Sequence, residues 1–338
     1  MSTPAPEISP LHIFDTLNAY QRSAALKAAI ELDIFTAIAE SQGTVRAVAE
    51  RCGASERGTR ILCDYMVVNG FLQKEGESYR LTPGTEVFLN KNSPAYMGGA
   101  IEFLLSPELM ENFDRLTDCV RQGGTALTDE GTVSDDNPVW VKFARAMMAL
   151  QGMPSQALAE LVDREAKAPL KVLDIAAGHG MFGIALARRN TLAEVTALDW
   201  ANVLELAREN AEQAGVGERY RTLPGSAFEL DYGEGYDLIL LTNFLHHFDP
   251  ETNERLLRKV HAALADGGRA VTLEFIPNED RVTPPAAAAF SIVMLASTPS
   301  GDAYTLPEFE KMFRHAGFQR TEMQDLPPTF QRVLISYK

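Results

Sequence analysis

Residues 242–248 read TNFLHHF, and His246 and His247 are two of only six histidines in the chain. An imidazole of ordinary pKa near 6.5 can take a proton at neutral pH, and it is also a common metal ligand. A second constellation lies upstream. Gly178, Gly180 and Gly183 spell GxGxxG, and Asp199 follows Gly178 by 21 residues. Such glycines let the backbone approach a ligand, and a carboxylate ending the next strand can accept hydrogen bonds from both hydroxyls of a ribose. The spacing alone suits NAD and S-adenosylmethionine equally. Asp174, four positions before Gly178, stands where an NAD fold usually carries an apolar residue beside the pyrophosphate. S-adenosylmethionine presents a cationic sulfonium and an ammonium instead, which a nearby carboxylate attracts.

The two histidines alone make a poor metal site. In an extended segment neighbouring side chains point to opposite faces, and no HExxH, H-x₃-H or Cys/His cluster supplies more ligands. No metal is therefore expected. A general base is the better reading, because TNFLHHF closes an apolar run, Leu238-Ile239-Leu240-Leu241, that reads as a strand. Doubly wound sheets bind ligands outside the carboxyl ends of their strands.

The elements that must position these residues follow from periodicity. From Leu170, strand-like runs (KVLDIA, EVTALDW, RYRTLPG, YDLILLTN, RAVTLEFIP) alternate with helix-like ones, among them DPETNERLLRKVHAALADGG and TLPEFEKMFRHAGF. The chain closes with QRTEMQDL and FQRVLISY. This alternation predicts an α/β domain with a mostly parallel, doubly wound sheet. Residues 11–90 predict packed helices, then SERGTRILCDYMVVNG as a second helix after a turn at Gly53, then a hairpin around Glu75-Gly76. That outline is a winged helix. Its DNA-binding reading is disfavoured against a packing or dimerisation module, because the stretch ERGTRILCDYM carries both signs of charge. Residues 95–165 read as helical, with breaks at Pro107, Gly123-Gly124, Pro138 and Pro154. In VWVKFARAMMALQG, Trp140, Phe143, Met147 and Leu150 share a face, either as core or as the wall of an apolar ligand pocket.

Bulk properties narrow the function classes. A chain of 338 residues, 46% hydrophobic, suggests about two domains. The net charge of −15 argues against an extended phosphate-binding surface. MSTPAPEISP carries no signal-peptide pattern, no run of apolar residues is long enough to span a bilayer, and Cys52, Cys63 and Cys119 are scattered. A cytoplasmic protein is expected.

The ordered series LDIAAGHG, ALDW, GSAF, TNFLHHF, TLEFIP and STPSGDAYT resembles the class I S-adenosylmethionine-dependent O-methyltransferases of the caffeate/hydroxyindole type, over roughly residues 12–338. The resemblance implies a Rossmann-like, doubly wound seven-stranded methyltransferase sheet with an N-terminal, mainly helical winged-helix dimerisation domain. It sets the domains at 1–95 (dimerisation), 96–165 (helical linker and acceptor-pocket region) and 166–338 (catalytic). S-adenosylmethionine is the implied cofactor, contacted by Ala176, Gly178, Gly180, Asp199, Trp200, Ser226, Ala227 and Thr242. His246 is the implied base, oriented by Glu274, with His247 as scaffold near the helix start at Asp249-Pro250. Phe143, Met147, Leu150, Val293, Met294 and Thr298 would line the acceptor pocket. The implied partners are a small hydroxylated acceptor and a second copy of the chain, with neither nucleic acid nor membrane.

Three positions depart from the family pattern. Ala176 replaces a glycine, which a small side chain should tolerate. Ser226 replaces an aspartate and weakens the bond to the adenine amine. Ala303 replaces a second orienting glutamate, which points to weaker base catalysis, a more acidic acceptor hydroxyl, or chemistry driven by proximity. The leading expectation is O-methylation of a small aromatic or polyketide-like molecule. The same fold with hydroxylase, decarboxylase or pericyclase chemistry, an N or S acceptor, a ligand-sensing winged-helix regulator and an NAD-dependent oxidoreductase are the alternatives.

Overall fold

The computed structural model describes residues 9–126 and 139–338, so the expected break at Pro138 and the first eight residues lie outside the described residues. The chain divides into two compact units, Met1–Leu105 and Ser106–Lys338.

The first unit carries α1 (Leu11–Leu17), α2 (Ala19–Glu31), α3 (Ile34–Glu40), α4 (Val45–Cys52), α5 (Glu56–Val68), an antiparallel hairpin of β1 (Leu72–Glu75) and β2 (Ser78–Leu81), α6 (Pro83–Phe88) and α7 (Gly99–Leu104). Thr44 and Ser55 start α4 and α5 by accepting the amides of Ala47 and Gly58, and Gly53 ends α4 at φ +62°. The core joins Phe35, Val48, Met66, Leu72 and Tyr79. Gly43 lies so close to this hairpin that a Cβ would sit 2.1 Å from the Tyr79 carbonyl oxygen. On α5, Arg60 is paired with Asp64 at 2.8 Å, so this cation is already engaged. Helix α1 buries none of its residues and leaves Leu11, Ile13, Phe14 and Leu17 exposed.

The second unit opens with α8 (Pro107–Asp114), α9 (Leu116–Gln122) and α10 (Val139–Val162). Then follow β3 (Leu170–Ile175), α11 (Met181–Arg189), β4 (Ala193–Asp199), α12 (Ala201–Gln213), β5 (Tyr220–Pro224), β6 (Tyr236–Thr242), α13 (Pro250–Ala263) and β7 (Leu264–Glu274). The unit ends with α14 (Pro285–Ala288), α15 (Phe290–Ser297), α16 (Leu306–His315), β8 (Arg320–Asp325) and β9 (Arg332–Tyr337). The seven strands order as β5-β4-β3-β6-β7-β9-β8. The first five pair in parallel, and β9 adds antiparallel to β7 and β8.

Parallel strands covered on both faces are apolar throughout, and Leu238–Leu241 on β6 are all fully buried. Alternation sends Leu238 and Leu240 to one face, against Leu158, Leu186 and Leu204. It sends Ile239 and Leu241 to the other, against Leu256, Leu257, Phe309 and Phe313. The winding direction reverses between β3 and β6, and the crevice beyond that reversal is where such sheets receive ligands.

Two local expectations are corrected. Pro154 does not break its helix, for α10 runs through it. The ring removes one backbone bond, but residues on both sides are buried, Ala144 and Met147 before it and Leu158 and Val162 after it, so packing anchors the helix through the proline. The helix expected to reach Gly268 stops at Ala263, and β7 begins at Leu264, which pairs with Tyr236 before the register shifts. Among the described residues, no helix is long and apolar enough to cross a membrane.

Candidate active site

The turn after β3 carries the first half of the site. Asp199, at the end of β4, accepts the Gly178 amide at 2.8 Å through one oxygen and the Trp200 amide at 2.7 Å through the other. Gly178 has φ +57°, and a Cβ there would meet only the Ala176 carbonyl oxygen, 4.0 Å away, so its outer side faces open space. Gly180 starts α11 at φ +77°. Gly183 serves packing: a Cβ would fall 2.8 Å from Val195 and 3.0 Å from Asp174. The loop is tied down elsewhere by Asn210, which donates to the His179 carbonyl at 2.8 Å.

Ala176 holds φ +55°, a left-handed conformation that costs a residue with a Cβ about 1–2 kcal/mol. Ala176→Gly should relieve that strain while adding about 0.5–1 kcal/mol of chain entropy to lose. We expect a urea-unfolding stability equal to the parent's or up to about 1.5 kcal/mol higher, where an unstrained Ala→Gly change lowers it by about 0.5–1 kcal/mol.

Asp174 is fully buried; its Oδ2 accepts the Gly183 amide at 3.1 Å and its Oδ1 has no protein partner. Burial pushes its pKa up to about 7. Asp199 keeps some open surface, yet protein crowds its carboxylate and pushes its pKa up to about 6, against the pull of its two amides. His179, buried in the glycine turn, is pulled down to about 4 and stays neutral. Two carboxyls short of compensating charge suit a cationic ligand, and a pyrophosphate would meet like charge here.

The loop after β5 holds Ser226 and Ala227. The Ser226 hydroxyl accepts its own loop's Phe228 amide at 3.3 Å. Lys259 on α13 secures this loop by donating to the carbonyls of Ala227, Phe228 and Leu230 at 3.1, 2.7 and 2.9 Å.

The second half follows β6, just past the buried Thr242. Leu245–His247 form a single 3₁₀ turn, so the two histidines do not splay as in a strand; their ring centroids lie 4.4 Å apart. His246 is buried, and its Nδ1 lies 2.5 Å from Glu274 Oε2, at the end of the neighbouring β7. Glu274 Oε1 accepts the amides of Phe244, Leu245 and His246 at 3.0, 2.9 and 3.4 Å. Since amides only donate, Oε1 acts as an acceptor towards all three. With the ring proton assigned to Nδ1, facing Oε2, the Nε2 lone pair is left to take a proton. His247 differs. Its ring is packed among protein atoms beside His246, which holds its pKa well below 6.5, and its Nδ1 has no protein partner. Among the described residues, no three His, Cys, Asp or Glu side chains gather as a metal site.

A row of rings crosses the base. Trp140 on α10 meets Phe143 edge-on at 5.7 Å and His247 at 5.6 Å. On the other side Phe290 meets His246 edge-on at 4.9 Å and stacks on Phe275 at 4.0 Å. Phe275 and Phe290 were not anticipated from sequence; Phe275 adjoins Glu274, but nothing local reports its stacking on a residue 15 positions away. Of the expected pocket residues, Phe143, Leu150 and Val293 keep open surface, and Met147 and Met294 are nearly buried. Thr298 is fully buried, with its hydroxyl engaged by the Met294 carbonyl and the Gly301 amide. Ala303 is fully buried and offers the base no polar group.

Residues 113–319 match the model of the O-methyltransferase domain, and residues 14–91 that of the O-methyltransferase dimerisation domain. The crystal structure of an O-methyltransferase candidate from Nostoc punctiforme is 55% identical, with a TM-score of 0.95 over 98% of this chain and 100% of that one. The tetracenomycin polyketide synthesis 8-O-methyl transferase of Streptomyces glaucescens is 27% identical over 91% of both chains. Human N-acetylserotonin methyltransferase, solved with S-adenosylmethionine, shares the fold at a TM-score of 0.86 and 22% identity, over 100% of this chain and 99% of that one.

Proposed function

The chain belongs to the S-adenosylmethionine-dependent O-methyltransferase family, and from that premise we propose that it methylates a hydroxyl of a small aromatic or polyketide-like molecule with His246 as general base. The observation that carries this reading is the His246–Glu274 pair at the end of β6, one strand from the Gly178–Asp199 turn and across the reversal of the sheet. The relative from Streptomyces, which by its name methylates a polyketide oxygen, supports the acceptor class.

S-adenosylmethionine supplies an electrophilic methyl on a cationic sulfur. Asp199 would hold the ribose hydroxyls, Gly178, Gly180 and Ala176 would receive the amino-acid part, and Trp200, Ser226, Ala227 and Thr242 would receive the remainder. The acceptor oxygen bonds to the methyl carbon as the carbon–sulfur bond breaks, its electron pair passing to sulfur, and the hydroxyl proton goes to His246 Nε2. Glu274 fixes the ring tautomer and offsets the imidazolium that results. Phe290, Trp140, Phe143, Met147, Leu150, Val293 and Met294 give the acceptor an apolar wall that keeps water from the transfer. Dimerisation falls to the first unit, where the uncovered apolar residues of α1 are available to a second copy.

Cofactor affinity should depend on pH. Asp174 and Asp199 have raised pKa values in the free protein, near 7 and 6, and a cationic ligand favours their ionised forms. Affinity is therefore full above about pH 7 and weakens as pH falls toward about 5, by up to about tenfold per pH unit for each proton involved. His179 remains neutral in this window, and burial raises the Tyr220 hydroxyl so that it stays protonated. Calorimetry across this range should show the fall, less steeply for S-adenosylhomocysteine, which lacks the sulfonium charge; a flat profile would contradict the assignment. The acceptor class is tested by a screen of hydroxylated aromatics with methyl-labelled S-adenosylmethionine, in which label must appear as a methyl ether. Label found only on nitrogen, sulfur or carbon would overturn O-methylation.

A further inference from the structure

Glu274 grips the amide side of the turn that carries His246, and other residues grip its carbonyl side. Asn253, fully buried on α13, donates from Nδ2 to the Leu245 carbonyl at 2.8 Å and to the Phe248 carbonyl at 3.1 Å. The Phe248 carbonyl also accepts the Tyr304 hydroxyl at 2.6 Å. Between these contacts Gly301 lies so close that a Cβ would fall 2.2 Å from the His246 carbonyl oxygen. Tyr304 is itself held firmly: its ring meets Phe309 edge-on at 5.8 Å, and the next residue, Thr305, forms a capping box with Glu308 that starts α16. Arg281 ties the same segment to its own loop through Asp302 at 3.2 Å and Glu308 at 2.6 Å.

We propose that Asn253 and Tyr304 are positioning residues for the base, closing a clamp on the carbonyls of the 245–248 turn opposite the amide clamp of Glu274. The inference rests on His246 being that base. One carboxylate oxygen that receives three amides acts as a pivot, and a short turn hung from it can roll. A roll carries the imidazole along an arc, and a displacement near 1 Å costs about 100-fold in a proton transfer that needs hydrogen-bond contact. Fixing both outer carbonyls removes that rotation. It also gives a chain with alanine at 303 a second support for the base, through backbone rather than through the ring. Burial raises the Tyr304 pKa, so its hydroxyl remains a donor at every working pH.

Tyr304→Phe removes one hydrogen bond and little else. The wild type should show a far-downfield proton resonance from Nδ1–H between His246 and Glu274, identified by its loss in His246→Gln. In Tyr304→Phe this resonance should broaden and exchange with water faster, and kcat with an acceptor found by the screen should fall about tenfold. The calorimetric Kd for S-adenosylmethionine should stay within about twofold. Asn253→Ala, which removes two hydrogen bonds and leaves Tyr304 alone on the Phe248 carbonyl, should show the larger effect of the same kind; if it does not fold, Tyr304→Phe decides alone. A Tyr304→Phe protein that merely melts earlier, with the resonance and kcat unchanged, overturns the clamp. A His246→Gln protein with full turnover overturns the base reading instead, and the resonance in Tyr304→Phe still reports on the clamp.

Discussion

His246→Gln is expected to lose about 10²–10⁴-fold in kcat while binding S-adenosylmethionine as the parent does. Glutamine keeps much of the side-chain volume against Phe290 and His247, so the wall of rings should survive. It cannot take a proton, so an un-ionised hydroxyl must attack without a base. Turnover that remains would come from holding the two reactants together, a large term in any bimolecular transfer. Because a general base acts only after the acceptor has bound, the loss should appear in kcat more than in KM. Glu274→Gln is not an equivalent probe, because it disturbs three backbone amides as well as the ring.

The second large effect is on the cofactor. Asp199→Ala should weaken S-adenosylmethionine binding by about 100-fold or more by calorimetry. The carboxylate is the proposed acceptor for the ribose, and it already fixes the turn through the amides of Gly178 and Trp200. Leaving a buried donor without its partner costs about 1–3 kcal/mol, and each 1.4 kcal/mol is tenfold in Kd. Asp199→Asn should lose less, since one side-chain oxygen can still serve an amide. Unchanged binding in Asp199→Ala would remove Asp199 from the cofactor site.

The site was unevenly legible in the sequence. The glycine turn and Asp199 are readable because the sheet itself brings adjacent parallel strands to one edge, so spacing along the chain reports spacing in space. The place of TNFLHHF at a strand end is readable for the same reason. The conformation of that segment is not. It was expected to be extended, and it coils into a 3₁₀ turn because Glu274, from another strand, gathers three of its amides. Asn253, Tyr304, Phe275 and Phe290 were likewise silent, since their roles depend on contacts between distant parts of the chain. Ala176 shows a different limit: its left-handed φ of +55°, which glycine would hold without strain, is a backbone property that residue type alone does not disclose.

In the proposed reaction His246 removes the proton as the methyl moves to oxygen. This role is tested most directly by single-turnover transfer from methyl-labelled S-adenosylmethionine to a hydroxylated aromatic acceptor, in wild type and in His246→Gln, both saturated with cofactor. A labelled methyl ether is expected from the wild type and a rate at least about 100-fold lower in the variant, with cofactor affinity retained. Equal rates in the two proteins would contradict it.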